Sequence, residues 1–276
     1  MTKMTFVASL LLLWFTSCKN DTPSDNKPAA TATPELTAKY LEGNWIANGF
    51  VAKIAAMGSV VKQLGNEGAP YAFAFTFTPV KKDSVICYNH MKMWTLPYQI
   101  TSDSTVEATL EDGKKIYMQF DLKAKNMSLF DGTSGKMRID YFTQTREKMV
   151  NGYQAFATAL NHNLLSGAFL LPGANKTATT VGFLPTGAVR GLGNYDIFQV
   201  CPGGDCLVAG DQIDALFLAN SKNPKESGWF GFRYSVQLDT LTIYSLKNER
   251  PNEKAGFTVQ KPAFMLLKYT PEPRKK

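Results

Sequence analysis

Residues 71–78 read Tyr-Ala-Phe-Ala-Phe-Thr-Phe-Thr, an alternation that places Phe73, Phe75 and Phe77 on one face of an extended segment. Residues 115–122, Lys-Ile-Tyr-Met-Gln-Phe-Asp-Leu, repeat the pattern with an apolar side chain at every second position. A period of two is typical of a β-strand that has one face on a core. Both segments therefore predict strands of an antiparallel sheet whose other face is in water.

Similar short segments, separated by Gly, Pro, Asn and Asp turns, lie on either side of these two. They predict strands over residues 85–88, 94–100, 105–110, 127–130, 137–143, 168–171, 179–184, 195–200, 215–219, 229–238, 240–246 and 263–269. Apolar residues have helical spacing instead over residues 52–64 and 148–160. The chain is therefore predicted to be all-β with one or two short helices.

A repeated order of motifs divides the strands into two series. Residues 41–45 (Leu-Glu-Gly-Asn-Trp) and 165–169 (Leu-Ser-Gly-Ala-Phe) open them with the same Leu-x-Gly-x-aromatic spacing. Two further correspondences follow in the same order, residues 120–130 with 234–244 and residues 138–143 with 264–269. Three correspondences in one order indicate a duplication.

The repeat predicts two β-domains, each an antiparallel β-barrel or β-sandwich. The first covers residues 36–147, and the second covers residues 148–270 and begins with a linker helix. A basic tail follows at residues 271–276, where Arg274-Lys275-Lys276 ends the chain.

The N-terminus has the composition of an export signal. Lys3 is the only charge before an apolar run, residues 6–15, which is too short to cross a bilayer. The run ends in Phe15-Thr-Ser-Cys18, which resembles the lipobox of bacterial lipoproteins, whose cysteine is acylated and becomes the new N-terminus. The resemblance implies that residues 1–17 are removed and that Cys18 anchors the protein to a membrane. A plain signal peptide or a transmembrane stub is the alternative.

Residues 18–35 are rich in Pro, Ala, Thr, Asp and Asn and predict a disordered tether behind the lipidated cysteine. Lys19-Asn20-Asp21 resembles the signal that sends lipoproteins of Bacteroidetes-type bacteria to the cell surface. Together these resemblances imply an outer-membrane protein, lipid-anchored, that faces the periplasm or the cell surface.

The Gly43-Asn44-Trp45 opening resembles the first strand of lipocalins and of lipocalin-like domains in such lipoproteins. In that fold the tryptophan closes one end of an up-and-down barrel, and an apolar ligand lies between the barrel walls. The resemblance implies that Trp45 and Phe169 close two tandem barrels, although Trp45 also fits as a core aromatic of a sandwich. Candidate ligand-binding residues are Trp45, Tyr88, Trp94, Tyr98 and Phe120 in the first half and Phe198, Trp229 and the rim residue Arg190 in the second.

The cysteines fit an oxidising compartment. Cys201-Pro-Gly-Gly-Asp-Cys206 places two thiols across a tight turn, which predicts a hairpin disulfide. A zinc site is the alternative, but no second Cys or His pair accompanies this one. Cys87 is predicted to be a buried core residue.

Other patterns give little support for catalysis or for nucleic-acid binding. Residues 182–193 are glycine-rich but lack the Gly-Lys-Ser/Thr ending of a phosphate loop, and they predict a β-hairpin or rim loop. The formal net charge is +7, with lysines scattered among acids. We expect no cofactor, no bound metal and no nucleic-acid partner.

Three functional hypotheses follow. The leading one is a non-enzymatic lipoprotein that binds a small apolar or amphipathic molecule in a barrel. The second is a structural or assembly factor that acts through an envelope protein partner. The third is a hydrolase or isomerase, which requires at least two of Cys87, His90 and Arg190 to meet in one cleft.

Overall fold

The structure is a computed structural model. It describes residues 35–81, 83–90, 92–132, 137–145, 149–173, 177–203, 206, 208–209, 213–249 and 255–269. The predicted signal peptide, the lipidated Cys18, the tether up to residue 34 and the basic tail lie outside the described residues. All described residues belong to one compact unit.

The first half folds into a closed barrel of eight antiparallel strands, each paired with the next along the chain. The strands are β1 (Gly43–Ile46), β2 (Ala74–Phe77), β3 (Ser84–Tyr88), β4 (Met93–Ser102), β5 (Thr105–Thr109), β6 (Lys115–Asp121), β7 (Asn126–Asp131) and β8 (Met137–Gln144). The ring closes where β1 pairs with β8, with Trp45 opposite Gln144.

The second half forms another antiparallel ring of eight strands, which closes where Leu267 lies opposite Leu170. These strands are β9 (Gly167–Pro172), β10 (Ala178–Phe183), β11 (Ala188–Leu192), β12 (Tyr195–Val200), β14 (Asp214–Ala219), β15 (Gly228–Ser235), β16 (Thr240–Asn248) and β17 (Ala255–Lys268). A short strand outside the ring, β13 (Val208–Ala209), pairs in parallel with β17. The prediction of an all-β fold with two antiparallel β-domains is confirmed, and both domains are barrels.

Helices are short, and one predicted helix is wrong. They are α1 (Ala38–Leu41), α2 (Asn48–Met57), α3 (Val60–Glu67), α4 (Gly152–Leu164) and a 3-10 turn at Pro224–Glu226. The single helix predicted over residues 52–64 is instead α2 and α3, because Gly58 ends α2 with φ +66° and the Ser59 side chain caps α3. The other predicted helix begins at residue 152, after the cap Asn151, and not at residue 148.

Helix α4 covers the outer face of the first barrel at β1 to β3, so β2 has no face in water. All four residues of β2 are buried, whereas β6 alternates between buried and exposed positions as predicted. A Cβ added to Gly152 would lie 2.8 Å from the Ala74 Cβ, which shows how closely α4 approaches β2. The Thr76 hydroxyl accepts a hydrogen bond from the Gly152 N–H (3.1 Å) and donates one to Asn44 Oδ1 (2.6 Å).

The same helix joins the two barrels into one core. The Phe156 ring on α4 stacks on Phe73 just before β2, with ring centroids 4.6 Å apart, and Phe50 on α2 stacks on Phe73 at 5.8 Å. One helical turn later, Asn161 Oδ1 accepts a hydrogen bond from the Val200 N–H at the end of β12 (3.2 Å). Buried apolar residues of both barrels therefore form one continuous cluster.

A buried carboxylate makes a second connection between the halves. Asp214 at the start of β14 accepts a hydrogen bond from the Val61 N–H in the first turn of α3 (2.9 Å). Burial raises the pKa of Asp214 above its ordinary value, and the hydrogen bonds from Ser59, Val60 and Val61 only partly oppose this rise.

We predict that the free energy of unfolding depends on pH through Asp214. The folded-state pKa lies above the unfolded value of about 3.9, so the folded protein binds the proton more tightly. The contribution of this group to stability is complete below the unfolded pKa and decreases as the pH rises through the folded pKa. Urea unfolding at several pH values should show this decrease for the native chain and not for Asp214→Asn. Asp103→Asn, an exposed control, should keep it; an unchanged pH dependence in Asp214→Asn would contradict the assignment.

Candidate functional site

Trp45 lies at one end of the first barrel, which we call the closed end. The indole Nε1 donates a hydrogen bond to the Leu41 carbonyl oxygen in α1 (2.9 Å), and its ring packs edge-on against Phe120 with centroids 5.0 Å apart. Helix α1 covers this end, since the Tyr40 hydroxyl donates to the Leu122 carbonyl oxygen in the β6–β7 turn (3.2 Å). This is the position that the lipocalin resemblance implies for Trp45.

Side chains fill the space between the walls of the first barrel. Trp45, Phe75, Val85, Cys87, Val106, Ala108, Met118, Met127, Leu129 and Phe142 have no surface that water can reach. A cavity wide enough for a ligand would expose part of this set, because its lining would be open to water-sized molecules. The described side chains therefore leave no space for a ligand between the walls of this barrel.

The opposite end of the first barrel, which we call the mouth, contains a cavity that opens to solvent among the described residues. In an up-and-down barrel alternate turns lie at alternate ends, so the β3–β4 loop and the β5–β6 turn both border the mouth. A cavity of about 370 Å³ lies there. Its lining residues are Tyr71, Asn89, Lys92, Trp94, Leu96, Leu110, Glu111 and Asp112.

Two aromatic rings hold each other at the floor of the mouth. The Trp94 Nε1 donates a hydrogen bond to the Tyr71 hydroxyl (3.3 Å), and the rings meet edge-to-face with centroids 5.7 Å apart. Tyr71 also stacks on the barrel residue Phe75 at 6.5 Å. Each ring thus has its orientation fixed by a hydrogen bond and by packing, which is how binding sites position aromatic groups.

Charged groups form the rim. The Lys92 Nζ lies 5.4 Å from the centroid of the Trp94 ring, and Asp112 makes an ion pair with Lys114 (2.9 Å). The hydrogen bond from Lys114 lowers the pKa of Asp112. Burial is the main cause that raises the pKa of Tyr71; the hydrogen bond from Trp94 acts in the opposite direction, and the negative charges of Glu111 and Asp112 add to the rise. The mouth therefore combines an apolar floor with a charged rim.

A second cavity, of about 300 Å³, lies beside α4 between the barrels, and we call it the cleft. It is lined by Ile46, Thr145, Met149, Ala155, Thr158, Ala159, His162, Asn163 and Pro185. Of the described residues that line it, only His162 has an ionisable side chain. This described lining is mainly apolar and contains no paired aromatic rings and no carboxylate.

Among the ligand-binding residues predicted in the first half, only Trp94 lies in the mouth. Tyr88 is buried at the end of β3, where its ring lies near Gly152 of α4. Phe120 and Tyr98 belong to the closed end, and each packs on Phe77. Tyr98 also lines a cavity of about 160 Å³ beside α1.

In the second half, the predicted residues do not share one site. Phe198 is buried in the second barrel against Phe183, with centroids 5.0 Å apart, while Arg190 is exposed on β11. Trp229 lies outside the barrel, packed on Phe217 (5.3 Å) beside the Cys201–Cys206 disulfide, which is present in the structure.

Sequence reasoning missed the residues that surround Trp94. Tyr71 precedes β2, Lys92 belongs to the β3–β4 loop, and Leu110 and Glu111 follow β5. The spacing Lys92-x-Trp94 at a strand end was the one local signal, because residues two apart on a strand lie on the same face. Tyr71, Leu110 and Glu111 come from segments that are distant from Trp94 in the sequence.

The groups required for the enzyme hypothesis do not share a cavity among the described residues. Cys87 is completely buried inside the first barrel, with its Sγ near the Val85 carbonyl oxygen (3.9 Å). His90 packs against Phe73 at 5.9 Å, and Arg190 is on the surface of the second barrel. No cavity described above is lined by two of these three residues. Among the described residues, no group of three or more His, Cys, Asp or Glu side chains is placed to hold a metal ion.

Comparisons with protein-family models, curated proteins and solved structures found no match to this chain. Within the described ranges, every helix is too short or too polar to cross a lipid bilayer.

We predict that Cys87 is unreactive in the folded protein. Burial raises the pKa of its thiol, so the reactive thiolate is scarce at neutral pH, and the barrel wall blocks access. In a Cys18→Ser chain, an aromatic disulfide reagent at pH 8 should label no thiol until urea unfolds the protein, and then one. Stoichiometric labelling of the folded chain would contradict this assignment.

Proposed function

We propose that this protein is a lipid-anchored envelope protein that binds a small amphipathic molecule at the mouth of its first barrel. The observation that carries the proposal is the mouth itself, an open cavity with two fixed aromatic rings below a charged rim. No catalytic step is assigned to it.

An amphipathic ligand suits this arrangement better than a wholly apolar one. Trp94, Leu96 and Leu110 offer apolar surface at the floor, while Asn89, Lys92 and the two carboxylates lie where the cavity meets water. Because the barrel interior is filled, a ligand buries one end at the floor and leaves its other end at the rim. Such pockets gain affinity from apolar contact and selectivity from a few polar groups.

The anchor is proposed from the N-terminal sequence. A cysteine directly after a short apolar run, followed by a polar tether, suits acylation of Cys18. Burial of acyl chains contributes about 0.8 kcal/mol per methylene group, so two or more chains hold a folded domain at a membrane. The tether leaves the barrels in water near the bilayer, where amphipathic molecules are concentrated.

Replacement of Cys18 tests the anchor. In a Gram-negative host that exports the chain, the native protein should fractionate with outer membranes and carry the mass of acyl chains. Cys18→Ser should have no acyl mass and should appear in the soluble fraction, because it keeps the fold but loses the anchor. Membrane association of Cys18→Ser, with intact residues 1–17, would instead support the transmembrane-stub alternative.

Native mass spectrometry of gently purified protein tests the ligand site. We expect a co-purified small molecule that Trp94→Ala loses or binds at least about 10-fold more weakly, because this ring forms the floor of the mouth. The matched variant Ala159→Phe fills the cleft and should retain the molecule.

The opposite pattern, loss in Ala159→Phe and retention in Trp94→Ala, would move the site to the cleft. If the native chain carries no small molecule and binds none that is added, the assembly-factor hypothesis becomes the better one.

A further inference from the structure

We propose that the ligand of the mouth is an organic ammonium compound, an amphiphile whose positive head lies over Trp94 and whose apolar part contacts Leu96 and Leu110. This inference rests on the proposed binding at the mouth and adds the charge of the ligand. The structure points to it because the mouth already holds an ammonium group, that of Lys92, in this place.

The Trp94 ring has a fixed orientation in the mouth. Its edge is held by Tyr71, through the 3.3 Å hydrogen bond and the edge-to-face contact, and one face of the ring meets the Lys92 Nζ at 5.4 Å. Distances up to about 6 Å from the ring centroid are typical of cation–π contacts. The ring is therefore oriented to receive a positive charge from the side of the cavity.

The Lys92 ammonium can move away from the Trp94 ring without a change in the backbone. Its backbone is fixed, because the Asn89 N–H donates to the Lys92 carbonyl oxygen (3.0 Å) and the Lys92 N–H donates to Asn89 Oδ1 (2.8 Å). Its side chain is exposed, and it makes no ion pair with any carboxylate of the described residues. A flexible stem lets the ammonium move into water while the backbone stays in place.

When the Lys92 ammonium moves away, the mouth keeps a negative charge. Among the described residues, the lining then has two carboxylates, Glu111 and Asp112, and no cation. Lys114 pairs with Asp112 from outside the lining (2.9 Å), whereas Glu111 has no such pair among the described residues. Both carboxylates act on Tyr71 in the direction that raises its pKa, so their field reaches the floor. The mouth is then locally negative, although the whole chain has a formal net charge of +7.

Competing ligand charges fit less well. An anionic head can form an ion pair with Lys92, but two carboxylates and the electron-rich face of the ring then repel it. A neutral head is attracted neither by Lys92 nor by the carboxylates. A cation gains the ring and both carboxylates at once, and this combination of an aromatic face with nearby acids is how proteins bind quaternary ammonium groups.

Three probes with the same tail and different heads test the charge. The protein is the full chain with Cys18→Ser, and the probes are octyltrimethylammonium, octyl sulfate and octyl glucoside, titrated at low salt below their micelle concentrations by calorimetry. We expect octyltrimethylammonium to bind at least about 10-fold more tightly than either other probe, and its affinity should fall as salt is added.

Matched variants separate the contributions. Lys92→Met keeps the length of the side chain and removes the competing ammonium, so it should bind the cation several-fold more tightly; Lys123→Met, at the closed end, should not change the affinity. Glu111→Gln should weaken cation binding several-fold, and Glu42→Gln at the closed end should not. All four substitutions replace exposed side chains, and equal urea midpoints verify that the fold is kept.

The outcomes distinguish this inference from the function on which it rests. Equal affinity for the three probes, lost in Trp94→Ala, would overturn the ammonium inference and keep amphiphile binding at the mouth. Tighter binding of octyl sulfate, lost in Lys92→Met, would show an anion site and overturn it as well. Binding of no probe, or binding that is unchanged in Trp94→Ala, would overturn both the inference and the proposed mouth site.

Discussion

The packing of α4 against the first barrel is the contact on which the rest of the structure depends. Its Phe156 ring stacks on Phe73, and Phe50 of α2 adds a further stacked ring. Phe73 comes two residues after Tyr71, so the helix contact also fixes the segment that places Tyr71 beside Trp94. A helix that at first looks like a linker between domains thus orients the floor of the mouth and, through Asn161, holds the second barrel.

A filled barrel and an open mouth follow from the same aromatic content. Phe75 packs edge-on against Phe142 with centroids 5.0 Å apart, and Trp45 and Phe120 do the same at the closed end, which leaves no room between the walls. Such packing stabilises a small barrel, because dense apolar contact is its main source of free energy. The open cavity lies at the end where the strands stop, and loops supply its polar groups.

The sequence predicts most strands and only part of the candidate site, for physical reasons. Periodicity located β6 well, because its outer face is in water, and it gave no warning that α4 covers β2. Barrel closure depends on pairing between the first and last strands of each half, which no local pattern reveals. The aromatic character of Trp229 predicts a lining residue, but the alternation along β15 places Phe232 inward and Trp229, three residues earlier, outward. Tyr71, Lys92 and Glu111 come from three separate segments, which the pairing of β2 to β5 brings together.

The two barrels share an order of motifs, but they differ at the end that forms the mouth in the first barrel. The β3–β4 loop that carries Lys92 covers residues 89–92, whereas the corresponding connection of the second barrel, between β11 and β12, is the shorter turn Gly193-Asn194. Asn194 is held there by Glu226, which leaves a compact polar turn where the first barrel has its mouth. The second barrel supports the first instead: Asp214 binds the first turn of α3, and Gly203 in the disulfide loop packs so closely on His90 that a Cβ has no room. His90 is adjacent to Asn89, whose backbone fixes Lys92, so the disulfide loop of one barrel supports the β3–β4 loop of the other.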